Sequence, residues 1–157
     1  MNTTMTTPTH TESIQVSSDM TVEMAAADVF AYVADLRNSS DWNRAISSTR
    51  PLTSRTIGIG AQFEQSRTVP HHATEVVEVT EYQPNRILEV TVTTPEQPVR
   101  YRYEFSSAGD SRCRVRLTVS LRPDHPVMRP DFYRARLTRV LASSLNGLRA
   151  ALVRHYE

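Results

Sequence analysis

"VFAYVADLRNSSDWN", residues Val29–Asn43, carries the single tryptophan of a 157-residue chain. Val29, Phe30, Val33 and Leu36 recur at intervals of three and four, which gives an amphipathic helix one apolar stripe and predicts a helix over Ala25–Leu36. Asn38, Ser39, Ser40 and Asp41 are turn and cap residues, so a second short helix is expected to begin near Ser39 or Ser40 with Trp42 in its first turn. The stretch thus reads as a helix that stops at a mouth and holds one large aromatic ring there.

Upstream, SIQVSSDMTVEM (Ser13–Met24) alternates, with Ile14, Val16, Met20, Val22 and Met24 on one side, as in a strand with one buried face. Downstream, six further strands are predicted. They are Ser47–Arg55, Ala61–Val69, Ala73–Tyr82, Ile87–Thr94, Val99–Phe105 and Arg112–Leu121. Gly58 and Gly60, Pro70–His72, "QPNR" (Gln83–Arg86), "PEQP" (Pro95–Pro98) and "AGDS" (Ala108–Ser111) supply the turns between them. Such short connections imply an antiparallel meander. A proline-rich loop, Arg122–Arg129, then leads into one long helix over Pro130–Tyr156. On it Phe132, Leu137, Val140, Leu141, Leu145, Leu148 and Leu152 follow the helical period. The fold class is α+β, with the long helix across the apolar face of the sheet.

Composition narrows the function classes. The chain is 39% hydrophobic and 22% charged, which suits one globular domain over 13–157. Residues 1–12 have neither a basic nor an apolar segment, so a disordered tail is expected there and not a secretory signal. No apolar run is long enough to span a bilayer. A net charge of +1 argues against a nucleic-acid partner. All 18 basic residues are arginine, so no lysine is available as a Schiff base or general base. The lone Cys113 leaves no intrachain disulfide, and the default location is cytoplasmic. No metal-ligand spacing, phosphate loop or nucleophile elbow is present, so neither a metal nor a cofactor is expected.

The order of elements, with "VEMAAADVFAYVADLRNSSDWN" (Val22–Asn43), "GIGAQFE" (Gly58–Glu64), "VVEVTEYQPNRILEV" (Val76–Val90), "YRYEF" and "RVRLTVSL", resembles the START-like (Bet v 1-like, helix-grip, SRPBCC) superfamily. The likeness is to its bacterial polyketide cyclase/dehydrase and lipid-transport branch in particular. It implies a curved antiparallel sheet of about seven strands gripping the C-terminal helix, with two short helices after the first strand and an apolar cavity between sheet and helix. It also implies a hydrophobic small-molecule partner, no cofactor, and a monomer or weak homodimer. The function implied is cyclisation or dehydration of a polyketide-like or aromatic molecule in bacterial secondary metabolism, such as antibiotic biosynthesis. A non-catalytic carrier or sequestering protein for such a metabolite is the alternative. Trp42 would then be lid or wall, or else a plain packing anchor.

Strand alternation selects the cavity face. Tyr101, Tyr103 and Phe105 share it with Val115, Leu117, Val119 and Leu121, joined by Val77, Val79, Leu88, Val90 and Val92. Phe63 points the same way, and period two takes Gln65 and Arg67 with it, while Glu75 shares the phase of Val77. Arg67 and Glu75 could face each other across the Pro70–His72 turn, either as a solvated surface pair or as catalytic groups. On the helix, Tyr133, Leu137, Val140, Ser144 and Leu148 form the inward stripe. Ser144 would offer a hydroxyl to a ligand or bond its own i−4 carbonyl. The candidate catalytic residues are therefore Arg67 and Glu75; the candidate ligand contacts are Trp42, Phe63, Gln65, Tyr101, Tyr103, Tyr133 and Ser144. His71 and His72 are adjacent and cannot both point inward.

Overall fold

The computed structural model describes residues 13–69, 71–93, 98–123 and 129–157. The tail expected at 1–12, Pro70, most of the Pro95–Pro98 turn and the middle of the Arg122–Arg129 loop, with His10 and His125, lie outside the described residues.

The chain runs β1 (Ile14–Val22), α1 (Ala26–Ala34), a 3-10 turn (Leu36–Asn38), α2 (Ser39–Trp42), β2 (Ile46–Pro51), β3 (Gln62–Arg67), β4 (Ala73–Gln83), β5 (Ile87–Thr93), β6 (Val99–Ser107), β7 (Cys113–Leu121) and α3 (Pro130–His155). The seven strands form one antiparallel sheet in the order β1-β7-β6-β5-β4-β3-β2. Consecutive strands from β2 to β7 pair antiparallel with their neighbours, and β1 returns to the far edge beside β7. This is the curved open sheet and long C-terminal helix of a helix-grip fold, as the sequence predicts.

Element ends follow local hydrogen bonding. α1 stops at Ala34, two residues short of the predicted Leu36, because the Asp35 carboxylate accepts from the Arg37 backbone N–H and holds the Arg37 guanidinium at 2.7 Å. That pairing draws the Asp35 carboxyl below the usual carboxylate range. β2 ends at Pro51 and not Arg55, because the Thr53 hydroxyl donates to the Arg55 carbonyl and accepts from the Gln62 N–H, folding Leu52–Arg55 into a loop. In the β4–β5 turn Asn85 takes a positive φ of 64°, a conformation asparagine tolerates better than most residues.

The core lies between the concave sheet face and the helices. Tyr103, Phe105, Val115, Leu117 and Val119 are buried there as alternation predicts, with Val77, Val79, Leu88, Val90 and Val92. Phe30 of α1 packs edge-on against both Phe105 and Tyr82, with ring centroids 5.2 and 5.3 Å away. Two bulges reset the alternation: one between Ile46 and Ser48 in β2, the other between Val79 and Glu81 in β4. The second turns Tyr82 onto the concave side, where it meets Phe30.

α3 buries Leu141, Leu145, Leu148, Ala151 and Leu152. Phe132 and Val140, expected on that stripe, are 60% and 52% exposed. A helix of 26 residues is about 39 Å long, longer than the nine-residue β1 it packs on, so its first turns are only partly covered. Val140 lies on the flank of the stripe. Arg134 and Arg149 of α3 donate to the Gln15 and Thr21 carbonyls, which caps part of the open edge of β1. Gly147 lets α3 approach α2 closely: a Cβ there would fall on the Trp42 carbonyl oxygen.

Candidate functional site

Three strands meet in register at the β2–β3–β4 end of the concave face. Thr49 pairs with Gln65, and Gln65 pairs with Glu75. This polar row crosses a face that elsewhere carries valine, leucine and aromatic rings. Gln65 is only 7% exposed. Its Nε2 donates to Glu75 Oε1 at 3.0 Å, and Arg67 Nε donates to the same oxygen at 2.8 Å. The Arg67 and Glu75 side chains are 19% and 10% exposed, so the pair sits inside the sheet's curve and is not the solvated surface pair that was the alternative. The contact is diagonal, because the direct partner of Arg67 is Ala73.

Arg67 also lies near enough to the Tyr101 hydroxyl of β6 for the two to interact electrostatically. Burial works against the Arg67 charge, but the Tyr101 and Glu75 oxygens outweigh it, and its pKa stands above the usual arginine value. Burial raises the Tyr101 phenol above its ordinary value, with Arg67 pulling the other way. Tyr103, deeper in the core, is raised by burial as well. Both phenols are therefore protonated, hydrogen-bond-donating groups across the neutral range.

These side chains border a small cavity of about 40 Å³. Its floor is Thr49, Gln65, Arg67, Tyr101 and Tyr103 on the sheet. Its roof comes from the end of α1, the 3-10 turn and α2, through Val33, Leu36, Ser39 and Trp42. Trp42 is 6% exposed and meets Tyr103 edge-on at 6.4 Å. The outer side of Trp42 borders a second space, a surface groove of about 460 Å³ along α3 that also contacts Val69, Val140, Ser144 and Gly147. Trp42 and Asn43 line both spaces. Asn43 is held in place by its backbone bond to the Ser39 carbonyl and by its side chain accepting from the Ala45 N–H.

The candidate residues thus divide. Trp42, Gln65, Arg67, Tyr101 and Tyr103 come together at the cavity, with Glu75 behind Arg67 and Gln65. Phe63 is fully buried but is packed in the core and does not border the cavity. Tyr133 is half-buried and acts electrostatically on Tyr101 without lining the space. Ser144 is half-buried on the outer groove and does not line the cavity. His71 and His72 are both exposed, outside the site. Thr49 was missed, because simple alternation from Ile46 puts Ser48 inward; the β2 bulge reverses that phase. Among the described residues no group of histidine, cysteine and carboxylate side chains could hold a metal ion.

The family described as polyketide cyclase / dehydrase and lipid transport matches residues 13–153. The chain belongs to that family. Membership supports a role in binding a hydrophobic small molecule. Solved structures share the fold at low identity. A START superfamily protein from Mycobacterium smegmatis matches with a TM-score of 0.76 at 14% identity, over 89% of this chain and 97% of that one. The Zhui aromatase/cyclase from a Streptomyces species matches at 0.73 and 16% identity, over 93% and 97%. Norcoclaurine synthase from Thalictrum flavum, in complex with dopamine and hydroxybenzaldehyde, matches at 0.68 and 11% identity, over 93% and 90%. No curated protein matches the chain significantly in sequence. Among the described residues no helix is long and apolar enough to cross a membrane.

Proposed function

We propose that this protein binds a polyketide-like or aromatic molecule at the Arg67 cavity and catalyses its cyclisation or dehydration, in the cytoplasm of a bacterium making secondary metabolites. The observation that carries the reading is the Gln65–Glu75–Arg67–Tyr101 cluster buried on an otherwise apolar concave face beside a cavity. A buried ion pair is a poor device for stability, since apolar residues of similar volume commonly serve as well or better. Its position bordering a cavity gives it another use. The family match and the aromatase/cyclase among the structural neighbours point the same way.

In the proposed chemistry, Arg67 and the Tyr101 hydroxyl polarise a ketone oxygen of the folded chain. A methylene between two carbonyls elsewhere in the same chain gives up one proton to solvent, and the resulting enolate carbon attacks that carbonyl carbon, so that one C–C bond forms as the C=O π bond breaks and its electron pair moves to oxygen. The new alkoxide oxygen takes a proton from Tyr101, which regains one from solvent. The remaining proton on the attacking carbon then passes to solvent as the hydroxyl, protonated by Tyr101, leaves as water, which restores conjugation. Holding both ends of one flexible molecule together supplies much of the rate, and the guanidinium supplies charge stabilisation. Glu75 holds Arg67 in place: one of its carboxylate oxygens already accepts two hydrogen bonds. Trp42, Gln65 and Tyr103 wall the site. Phe63, Tyr133 and Ser144 support it from outside the cavity lining.

The 40 Å³ cavity is far below the roughly 300–1,000 Å³ of ordinary ligand pockets, so binding in this reading widens the space between Trp42 and the sheet. A second reading is a non-catalytic carrier or sequestering protein. The full engagement of that Glu75 oxygen, which leaves few free acid–base groups, favours it. Incubation with a synthetic linear poly-β-ketone thioester, followed by mass analysis, separates the two. The enzyme reading predicts a product lighter by one water, formed at least about a hundredfold more slowly by Arg67→Ala. Intact thioester recovered bound to the protein would establish the carrier, and equal turnover by Arg67→Ala and Glu75→Ala would refute the assigned chemistry.

A further inference from the structure

Two polar atoms at this cavity are buried without a hydrogen-bond partner among the described residues: Trp42 Nε1 and Thr49 Oγ1. Both residues line the cavity, one from its roof and one from its floor. Most buried polar groups in folded proteins are paired, so two orphans around one 40 Å³ space are a property of that space. The indole N–H can only donate, and the arginine bordering the same space is donor-only as well. Gln65 Nε2 and Arg67 Nε are already engaged by Glu75, so the donors around the space include Trp42 Nε1–H, the Thr49 hydroxyl, the Tyr101 and Tyr103 phenols and the remaining Arg67 N–H groups. What such a set complements is an oxygen that accepts hydrogen bonds. The volume is right for a carbonyl group and too small for a ring.

We propose that Trp42 Nε1 and Thr49 Oγ1 form an oxygen-recognition subsite, so that ligands are selected for a carbonyl oxygen lodged at the inner end of the cavity while the apolar body lies toward Trp42, Asn43 and the outer groove. This rests on the ligand-binding reading above and assigns specificity to two residues that the chemistry proposed there does not require. Thr49 owes its position to the β2 bulge, which sets it beside Gln65 in register. A threonine here serves the fold poorly, because its hydroxyl loses water on burial and gains nothing in exchange.

The test uses a matched pair of probes, 1-tetralone and tetralin, which share a skeleton and differ at the ketone oxygen. Affinities are measured by equilibrium dialysis against wild type, Trp42→Phe and the near-isosteric Thr49→Val, with a melting curve for each. Wild type is expected to prefer the ketone by about tenfold, and each variant to lose most of that preference, read as the ratio of the two affinities within the same protein. Thr49→Val is also expected to melt higher than wild type, since it removes a buried hydroxyl that has no partner; a threonine with a merely structural bond would melt lower when replaced. Equal binding of both probes by wild type, or a ketone preference that survives in both variants, overturns the subsite while leaving the ligand-binding reading intact. Failure of wild type to bind either probe overturns both.

Discussion

The concave face of this sheet has two ends made of different chemistry. At one end Phe30 stacks edge-on against Phe105 and Tyr82, and Val115 and Leu117 close around them with 1% exposure or less. At the other end the same face carries Thr49, Gln65, Glu75 and Arg67, an ion pair and two unpartnered polar atoms around a cavity. Both ends use the same backbone geometry and the same antiparallel pairing. The aromatic end satisfies everything a core needs: dense packing, ring pairs and no stranded polar group. The polar end breaks those rules three times within a few residues. Local departures from good core design tend to mark function, because only a function would retain them. Stability is thus concentrated at the first end and recognition at the second.

Truncation at the aromatic end is the strongest way to break this division. Phe105→Ala should cost about 3–5 kcal/mol of stability, the usual range for a large buried aromatic. Phe105 does not line the cavity, so at a temperature where the variant is folded its affinity for 1-tetralone should stay within about twofold of wild type. Urea unfolding with a parallel binding assay reads both. A large loss of affinity would mean that the two ends are energetically one unit.

Substitutions at the polar end should show the opposite sign pattern. Glu75→Ala leaves the Arg67 guanidinium buried with only Tyr101 beside it, and should cost about 2 kcal/mol, reduced from the fully buried case because these side chains keep some exposure. The double variant Arg67→Met with Glu75→Leu should regain most or all of that stability while losing the proposed chemistry. A double-mutant cycle in urea checks this. If the double variant were less stable than Glu75→Ala alone, the pair would be a structural element and the contrast between the two ends would weaken.

Much of this organisation was legible in the residues. The period-two pattern of Arg112–Leu121 and the heptad-like leucines of α3 reported the sheet and the helix directly, because burial on one face writes itself into spacing. The Arg67–Glu75 contact followed from the same phase, carried through the short turn between β3 and β4. Thr49 was not legible, since a bulge inserts one residue and inverts the phase while leaving no composition signal in "ISST". Tyr82 is hidden in the same way by the β4 bulge. Phe132 and Val140 were misplaced because a helical period reports which way residues point, not how far the partner sheet extends. Unpartnered atoms such as Trp42 Nε1 depend on tertiary neighbours and have no local signature.

The central claim is that the polar end of the face is where a ligand binds, and Trp42, the single tryptophan, borders the cavity at that end as well as the outer groove. The most direct measurement is its fluorescence during titration with 1-tetralone. A saturable change in emission intensity or wavelength, absent when the same titration is made on Arg67→Met with Glu75→Leu, is the predicted result. Saturable binding by dialysis with Trp42 emission unchanged would place the ligand elsewhere on the molecule and contradict the account.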